Sequence, residues 1–237
     1  DIDIEKVHLI NSGKAAVSEP FIDEMIAEGL KEGHLKGLRD LSGCLENSEI
    51  CIVTVGTPKL FGGGLNLDSV LSVAENIGKA IVDRKEHATF VLRSTVPPGT
   101  SKKICNIIEK FSGKTLNKDF SFVYNPEFLR EGTAVSDYFS PGCVVIGTHD
   151  GQSNKDIDGL YEGVNGEIFY TDYNTSELTK YLNNSWHAIK VAFANEVGVI
   201  AKKSGADVAK LMKIFLSDKK LNISEKYLLP GAPFGGS

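Results

Sequence analysis

The stretch Ile50-Cys51-Ile52-Val53-Thr54-Val55 decides how the rest of the chain is read. It is rich in β-branched residues and closes on Gly56-Thr57-Pro58, so it has the composition of a buried strand and the ending of one. Downstream, residues 68–83 carry apolar side chains at helical spacing and residues 89–92 return to a strand pattern. A strand, a helix and a strand in that order predict a βαβ unit and a parallel sheet. Residues 101–111 continue with a helix whose Ile104, Ile107 and Ile108 form one apolar stripe, and residues 120–124 and 144–147 add two more strands. The pattern predicts a sheet covered by helices on both faces. In such sheets ligands gather outside the carboxyl ends of the strands. Gly56-Thr57-Pro58, Arg93-Ser94-Thr95 and Asn125-Pro126-Glu127 each follow a strand, and three such motifs in succession point to a site rather than to three ordinary turns.

The 237 residues, 41% hydrophobic and 24% charged, are enough for one large or two modest globular domains. A formal charge of -5 without a basic block leaves nothing to neutralise nucleic-acid phosphates, so that partner is set aside. No apolar run approaches the ~20 residues of a membrane span. Cys44, Cys51, Cys105 and Cys143 show neither CxxC pairing nor metal-ligand spacing, and they read as reduced, packed cytosolic thiols. No metal site is expected.

After about Asp172 the pattern changes. Residues 176–204 read as one long helix without proline, and residues 207–216 as a shorter one. Asn174-Thr175-Ser176 offers N-capping side chains, with Glu177 in the first turn where the helix dipole favours an anion. At 100° per residue, Asn184, His187 and Asn195 fall at about 40°, -20° and 60° from Lys180, so the four share an arc of roughly 80°. Val191 lies on the same stripe. A lysine one turn from an asparagine suits stabilisation of an oxyanion or alkoxide, while the plainer reading is a mixed polar surface. His187 is equally a hydroxyl or phosphate ligand or a packing residue.

In Asn125-Pro126-Glu127-Phe128-Leu129-Arg130-Glu131-Gly132-Thr133-Ala134, two carboxylates and a guanidinium share a short segment. One glutamate could be a structural partner and the other a general base, or Arg130 could neutralise either in a salt-bridged loop. Gly62-Gly63-Gly64 matches neither GxGxxG nor GxxxxGK[ST] and reads as a flexible connection. Asp1 stands where a ribose-binding acid ends the second strand of a dinucleotide fold, about 20 residues after glycines that would lie upstream.

These motifs in this order resemble the nucleotide-sugar 6-dehydrogenases, the UDP-glucose/GDP-mannose dehydrogenase family. The resemblance rests on Asn11-Ser12-Gly13-Lys14 with Glu19-Pro20, Val55-Gly56-Thr57-Pro58, Arg93-Ser94-Thr95-Val96 with Pro98-Gly99-Thr100, the segment from Asn125 to Ala134, and Lys180-Tyr181. Trp186-His187-Ala188 through Phe193-Ala194-Asn195-Glu196 points to the GDP-mannose branch. The family implies an α/β architecture: an incomplete Rossmann-like parallel-sheet domain that binds NAD over residues 1–172, then a truncated central helical dimerisation domain with one long helix over residues 173–237.

It further implies an NAD-dependent four-electron oxidation of the C6 alcohol of a sugar nucleotide, GDP-mannose or UDP-glucose, through a cysteine thioester. The parent would be a cytoplasmic homodimer serving polysaccharide biosynthesis. In that pattern Glu131 assists thioester hydrolysis and contacts sugar, and Lys180 and Asn184 stabilise the oxyanion and hold a water. His187, Asn195 and Tyr227 line the sugar-nucleotide pocket, which Glu127 orients. Asp1, Lys6, Thr57 and Thr95 fall on cofactor-contacting positions. The family's cysteine follows a Gly-Gly-Ser, here Gly235-Gly236-Ser237, so residues 1–237 are expected to be inactive alone. Lys226, Leu229 and Ala232-Pro233 depart from the GDP-mannose pattern, and leucine cannot replace arginine on a phosphate. UDP-glucose oxidation and a noncatalytic sugar-nucleotide binder are the alternatives, with a one-step hydroxyacid dehydrogenase behind them.

Overall fold

The computed structural model describes residues 1–45, 48–224 and 228. The chain forms two compact units, Asp1–Leu182 and Asn183–Ser237. The first opens with three helices, α1 (Ile4–Asn11), α2 (Ile22–Lys31) and α3 (Leu41–Leu45). The alternating part then runs β1 (Ile50–Val53), α4 (Asp68–Ala80), β2 (Ala88–Leu92), α5 (Thr100–Ser112), β3 (Phe120–Tyr124), α6 (Ala134–Phe139), β4 (Val144–Thr148), α7 (Lys155–Leu160) and β5 (Ile168–Asp172). Helix α8 (Tyr173–Ser204) follows without a loop and α9 (Val208–Ser217) comes after it.

The five strands lie in the order β1-β2-β3-β4-β5. Pairing is parallel at β1–β2, β2–β3 and β4–β5, as the βαβ pattern predicts, but antiparallel at β3–β4 through Tyr124 and Gly147. β4 thus enters the sheet from the end at which β3 leaves, with the short α6 inside the connection between them.

Strand alternation sorts the core into two layers. Ala88, Phe90, Leu92, Phe120, Phe122 and Tyr124 meet the apolar sides of α4 (Val70, Ala74, Ile77) and α5 (Ile104, Cys105, Ile108). Val91, Val123, Val144 and Ile146 point the other way and pack on Ile157 and Tyr161 of the α7 segment. Both faces are therefore covered, which is why β2 and β4 are buried along their whole length. Close helix packing needs Gly78, where a Cβ would stand 2.8 Å from that of Phe111. Gly147 is tighter still, since a Cβ there would fall 1.9 Å from Ser176 Oγ on the first turn of α8.

Two expectations about α8 need correcting. It starts at Tyr173 rather than Ser176, so Asn174, Thr175 and Ser176 lie inside it and do not cap it. The anchoring acceptor is the last residue of β5, Asp172, which takes the Thr175 N–H at 3.1 Å and the Thr175 hydroxyl at 2.6 Å. Glu177 accordingly sits beyond the first turn and has another task, described below. In the second unit, α8 ends at Gly205 with φ 74°, and Asp207 caps α9 by accepting from Lys210 N at 3.1 Å. Phe193 and Phe215 join α8 to α9 with ring centroids 5.5 Å apart.

Candidate active site

The carboxyl ends of β1, β2 and β3 are tied to one another by their own loop residues. The Thr57 hydroxyl donates to Thr95 O at 2.8 Å, and the Ser94 hydroxyl donates back to Val55 O at 2.6 Å, so the first two loops hold each other. Arg93 does the same for the next pair of loops. Its guanidinium donates to Asn125 Oδ1 at 2.5 Å and to the Tyr161 hydroxyl at 2.8 Å, and Tyr161 donates to Asn125 Oδ1 at 2.5 Å. The buried Asn125 completes its set with Nδ2 to Val145 O and its backbone N–H to Leu92 O, both at 2.9 Å. One residue thus bonds, through its backbone N–H and its side-chain amide, to β2, β4 and the β2 loop.

Beyond Asn125 the chain carries the acidic segment. Lys180 reaches it from α8, where its side chain is 7% exposed. The ammonium donates to Glu127 Oε1 at 2.9 Å and to the Glu127 backbone carbonyl, and it lies 5.4 Å from the centre of the Phe128 ring. The other Glu127 oxygen accepts Leu129 N at 2.7 Å, which closes the turn. Of the two glutamates, Glu127 is the one that pairs with Lys180.

Arg130 neutralises neither glutamate. It pairs with Asp137 of α6 through Nη2 and Nε at 2.7 and 3.0 Å, and its backbone N–H joins the same carboxylate. Hydrogen bonds from Arg130, with help from the Thr133 hydroxyl, hold the Asp137 carboxyl well below the usual carboxylate range. Two residues on, Glu19 accepts Gly132 N at 2.8 Å and Ala134 N at 3.3 Å, across more than 110 residues of sequence. Glu131 is thereby framed on both sides by held neighbours while its own side chain is exposed. Among the described residues its carboxylate has no hydrogen bond or ion pair.

Lys180 belongs to the first unit, and Asn184, His187 and Asn195 lie exposed on the part of α8 that belongs to the second. Tyr227, Lys226, Leu229 and Gly235-Gly236-Ser237 fall outside the described residues. Asp1 accepts Asp3 N at 2.9 Å, and Lys6 is exposed on α1. Gly62, Gly63 and Gly64 all take positive φ in a turn where Leu60 N bonds Gly64 O at 3.1 Å, a backbone that suits glycine. The thiols are buried or half-buried. Desolvation pushes Cys51 up to about 11 and Cys105 up to about 12, and raises Cys143, so all three stay protonated and poorly nucleophilic at neutral pH. Asp137 and Glu19 were missed as site supports because neither has local spacing to betray it.

A doubly covered α/β sheet with its polar motifs collected at strand carboxyl ends has the layout of a dinucleotide-binding domain. Comparison with known proteins gives the family. Residues 1–165 match the NAD binding domain of the UDP-glucose/GDP-mannose dehydrogenase family, and residues 174–237 match its central domain. The chain belongs to that family. It is 42% identical over 238 residues to GDP-mannose 6-dehydrogenase of Azotobacter vinelandii, covering 100% of this chain and 55% of that protein. A UDP-glucose 6-dehydrogenase of Bacillus subtilis is 32% identical, with 100% of this chain and 52% of that protein covered. The crystal structure of a ternary complex of GDP-mannose dehydrogenase from Pseudomonas aeruginosa superposes with a TM-score of 0.96 at 40% identity, over 100% of this chain and 55% of that one. The chain spans about half the length of the curated relatives it matches.

Proposed function

We propose that the protein carrying this chain is an NAD-dependent nucleotide-sugar 6-dehydrogenase that oxidises the C6 alcohol of GDP-mannose to the carboxylate, through a thioester. The single observation that carries this is the Lys180 clamp. A nearly buried ammonium at the carboxyl edge of the sheet gives two donors to Glu127 and keeps the third for an oxygen that becomes negative during reaction. Asn184, one turn on, adds an amide donor, and Glu131 is the exposed carboxylate for handling water. His187, Asn195 and Tyr227 would contact the sugar nucleotide. Identity of 42% to a GDP-mannose enzyme against 32% to a UDP-glucose enzyme supports the GDP-mannose reading.

The residues present fit NAD chemically. Thr57 and Thr95 offer hydroxyls at the ends of β1 and β2, where their mutual bond fixes the two loops, and the Asp1 carboxylate with Lys6 suits ribose hydroxyls and a neighbouring negative group. The cofactor supplies the hydride acceptor, and these side chains bind and orient it. In this reading residues 1–172 form the NAD-binding domain and residues 173–237 the central domain.

We also place the protein in the cytoplasm as a homodimer. The four free cysteines suit a reducing compartment, and among the described residues no helix is long and apolar enough to cross a membrane. Leu178, Leu182, Ile189, Phe193 and Ile200 are exposed on α8 and recur on the side of that helix opposite the Lys180 arc, as a helix awaiting a partner requires. Sedimentation of the full-length protein tests this, and a monomer at micromolar concentration would remove the dimer from the proposal.

The test of function is NAD reduction by the full-length protein, offered GDP-mannose and UDP-glucose separately. Reduction with GDP-mannose, lost by ~10²–10³-fold in Lys180→Ala, is expected. Reduction with UDP-glucose alone would reassign the substrate, and none with either would leave a noncatalytic binder.

A further inference from the structure

Glu177 lies one turn before Lys180 and is fully buried. Its two oxygens accept the backbone N–H groups of Gly99 and Ser101, each at 2.6 Å, across 78 and 76 residues of sequence. Those amides open α5, where Thr100 N–H already bonds Pro97 O at 3.2 Å but Gly99, at φ 91°, has no side chain to cap the helix and holds a conformation that a capping serine or aspartate would find strained. The cap therefore has to come from elsewhere, and it comes from the helix that bears Lys180. A buried carboxylate is costly unless its oxygens are bonded, and here the helix terminus supplies both donors and a favourable dipole.

The residues on either side of this bond lead to opposite halves of the site. Toward the amino end, Pro97 and Pro98 stiffen the short path from Gly99 back to Thr95, whose carbonyl holds Thr57. Toward the carboxyl end of α8, the next turn presents Lys180 to Glu127. The buried Tyr124 at the end of β3 lies within electrostatic reach of both Glu177 and Glu127.

We propose that Glu177 is a positioning residue whose carboxylate fixes residues 95–99 relative to the α8 turn carrying Lys180, so that the cofactor-side hydroxyls and the oxyanion-side ammonium keep one geometry. It rests on the reading of Thr95 as a cofactor contact and Lys180 as the oxyanion group. Loss of the link lets the two halves shift against each other without removing any group that touches substrate. Its signature is a change in NAD handling and turnover at unchanged sugar-nucleotide affinity.

The experiment compares wild type, Glu177→Gln and Glu177→Ala in the full-length protein, well below each variant's Tm. KM for NAD, kcat and the dissociation constant for GDP-mannose are measured. For Glu177→Ala we expect a rise in KM for NAD and a fall in kcat, each on the order of tenfold, with GDP-mannose binding within about twofold of wild type. Glu177→Gln keeps one acceptor and should fall between, and it decides the matter alone if the alanine variant does not fold. A lowered Tm with unchanged kinetic constants per folded molecule would reduce Glu177 to a stabilising cap and overturn the proposal, as would equal loss of affinity for NAD and GDP-mannose. Failure of the wild type to reduce NAD would overturn the functional reading itself, and this inference with it.

Discussion

Replacing Lys180 by methionine isolates the charge of the clamp while keeping most of its stem. The lysine side chain is 7% exposed and the Glu127 side chain 35%, so the pair stands between a buried and a surface ion pair. Breaking a buried pair costs about 3–5 kcal/mol because the remaining charge is stranded, whereas exposed pairs are worth about 0–1 kcal/mol. Water reaches Glu127, so its stranded carboxylate is partly screened and the cost falls to about 2 kcal/mol, including roughly 0.5–1 kcal/mol for the ammonium over Phe128. Glu127→Gln can keep the acceptor for Leu129 N, but it loses the charge and the oxygen that takes the ammonium, leaving Lys180 its bond to the Glu127 backbone carbonyl, for about 1 kcal/mol. Urea unfolding of wild type, both single variants and the double variant of this chain gives the coupling energy directly. We expect about 1–2 kcal/mol. A coupling below about 0.5 kcal/mol would mean that the two groups are solvated separately, and the clamp could not then hold its third donor in place.

Gly147→Ala should destabilise by about 1–3 kcal/mol, since its Cβ falls 1.9 Å from Ser176 Oγ, and Ser176→Gly in the same chain should recover part of the loss in thermal melts. Asp137, held low by Arg130, contributes stability that is present above its ordinary value of 3.8 and is lost as pH falls below it toward the folded value. The melting temperature of Asp137→Asn should therefore decline less steeply than that of wild type under acid, and parallel curves would refute the pairing. Iodoacetamide at pH about 8 should label Cys51 and Cys105 far more slowly in the native chain than in urea, because their thiols are raised to about 11 and 12; mass spectrometry reads the sites, and equal rates would contradict the burial.

What the sequence disclosed follows from periodicity. Residues 50–53, 88–92 and 120–124 have β-branched and aromatic runs, and Ile104 and Ile108 recur at helical spacing, so strands and helix faces could be placed before any coordinates. β5 also had its signal, Ile168-Phe169-Tyr170-Thr171, yet it was hidden by the polar loop before it. The antiparallel entry of β4 was not legible, because the direction in which a strand joins the sheet is set by where its connection returns and leaves no mark on the strand's own periodicity. The same holds for the site. Lys180 and the acidic segment stood out by residue type, but that Glu127 takes the ammonium, Asp137 takes Arg130 and Glu177 serves a distant helix are facts of three-dimensional reach. The start of α8 was misplaced because Asp172, a strand residue, does the work assigned to Asn174-Thr175-Ser176.

Asn125 also bears on how the sheet finds its alignment. Its side-chain oxygen takes Arg93 and Tyr161, its Nδ2 donates to Val145 O on β4, and its backbone N–H donates to Leu92 O on β2. A slip of β3 by one residue would turn this side chain to the opposite face and leave Arg93, Tyr161 and Val145 O without their partner. The asparagine thus acts as a gauge of strand register: only one alignment satisfies it, and that alignment is the one that sets the acidic loop in front of α8.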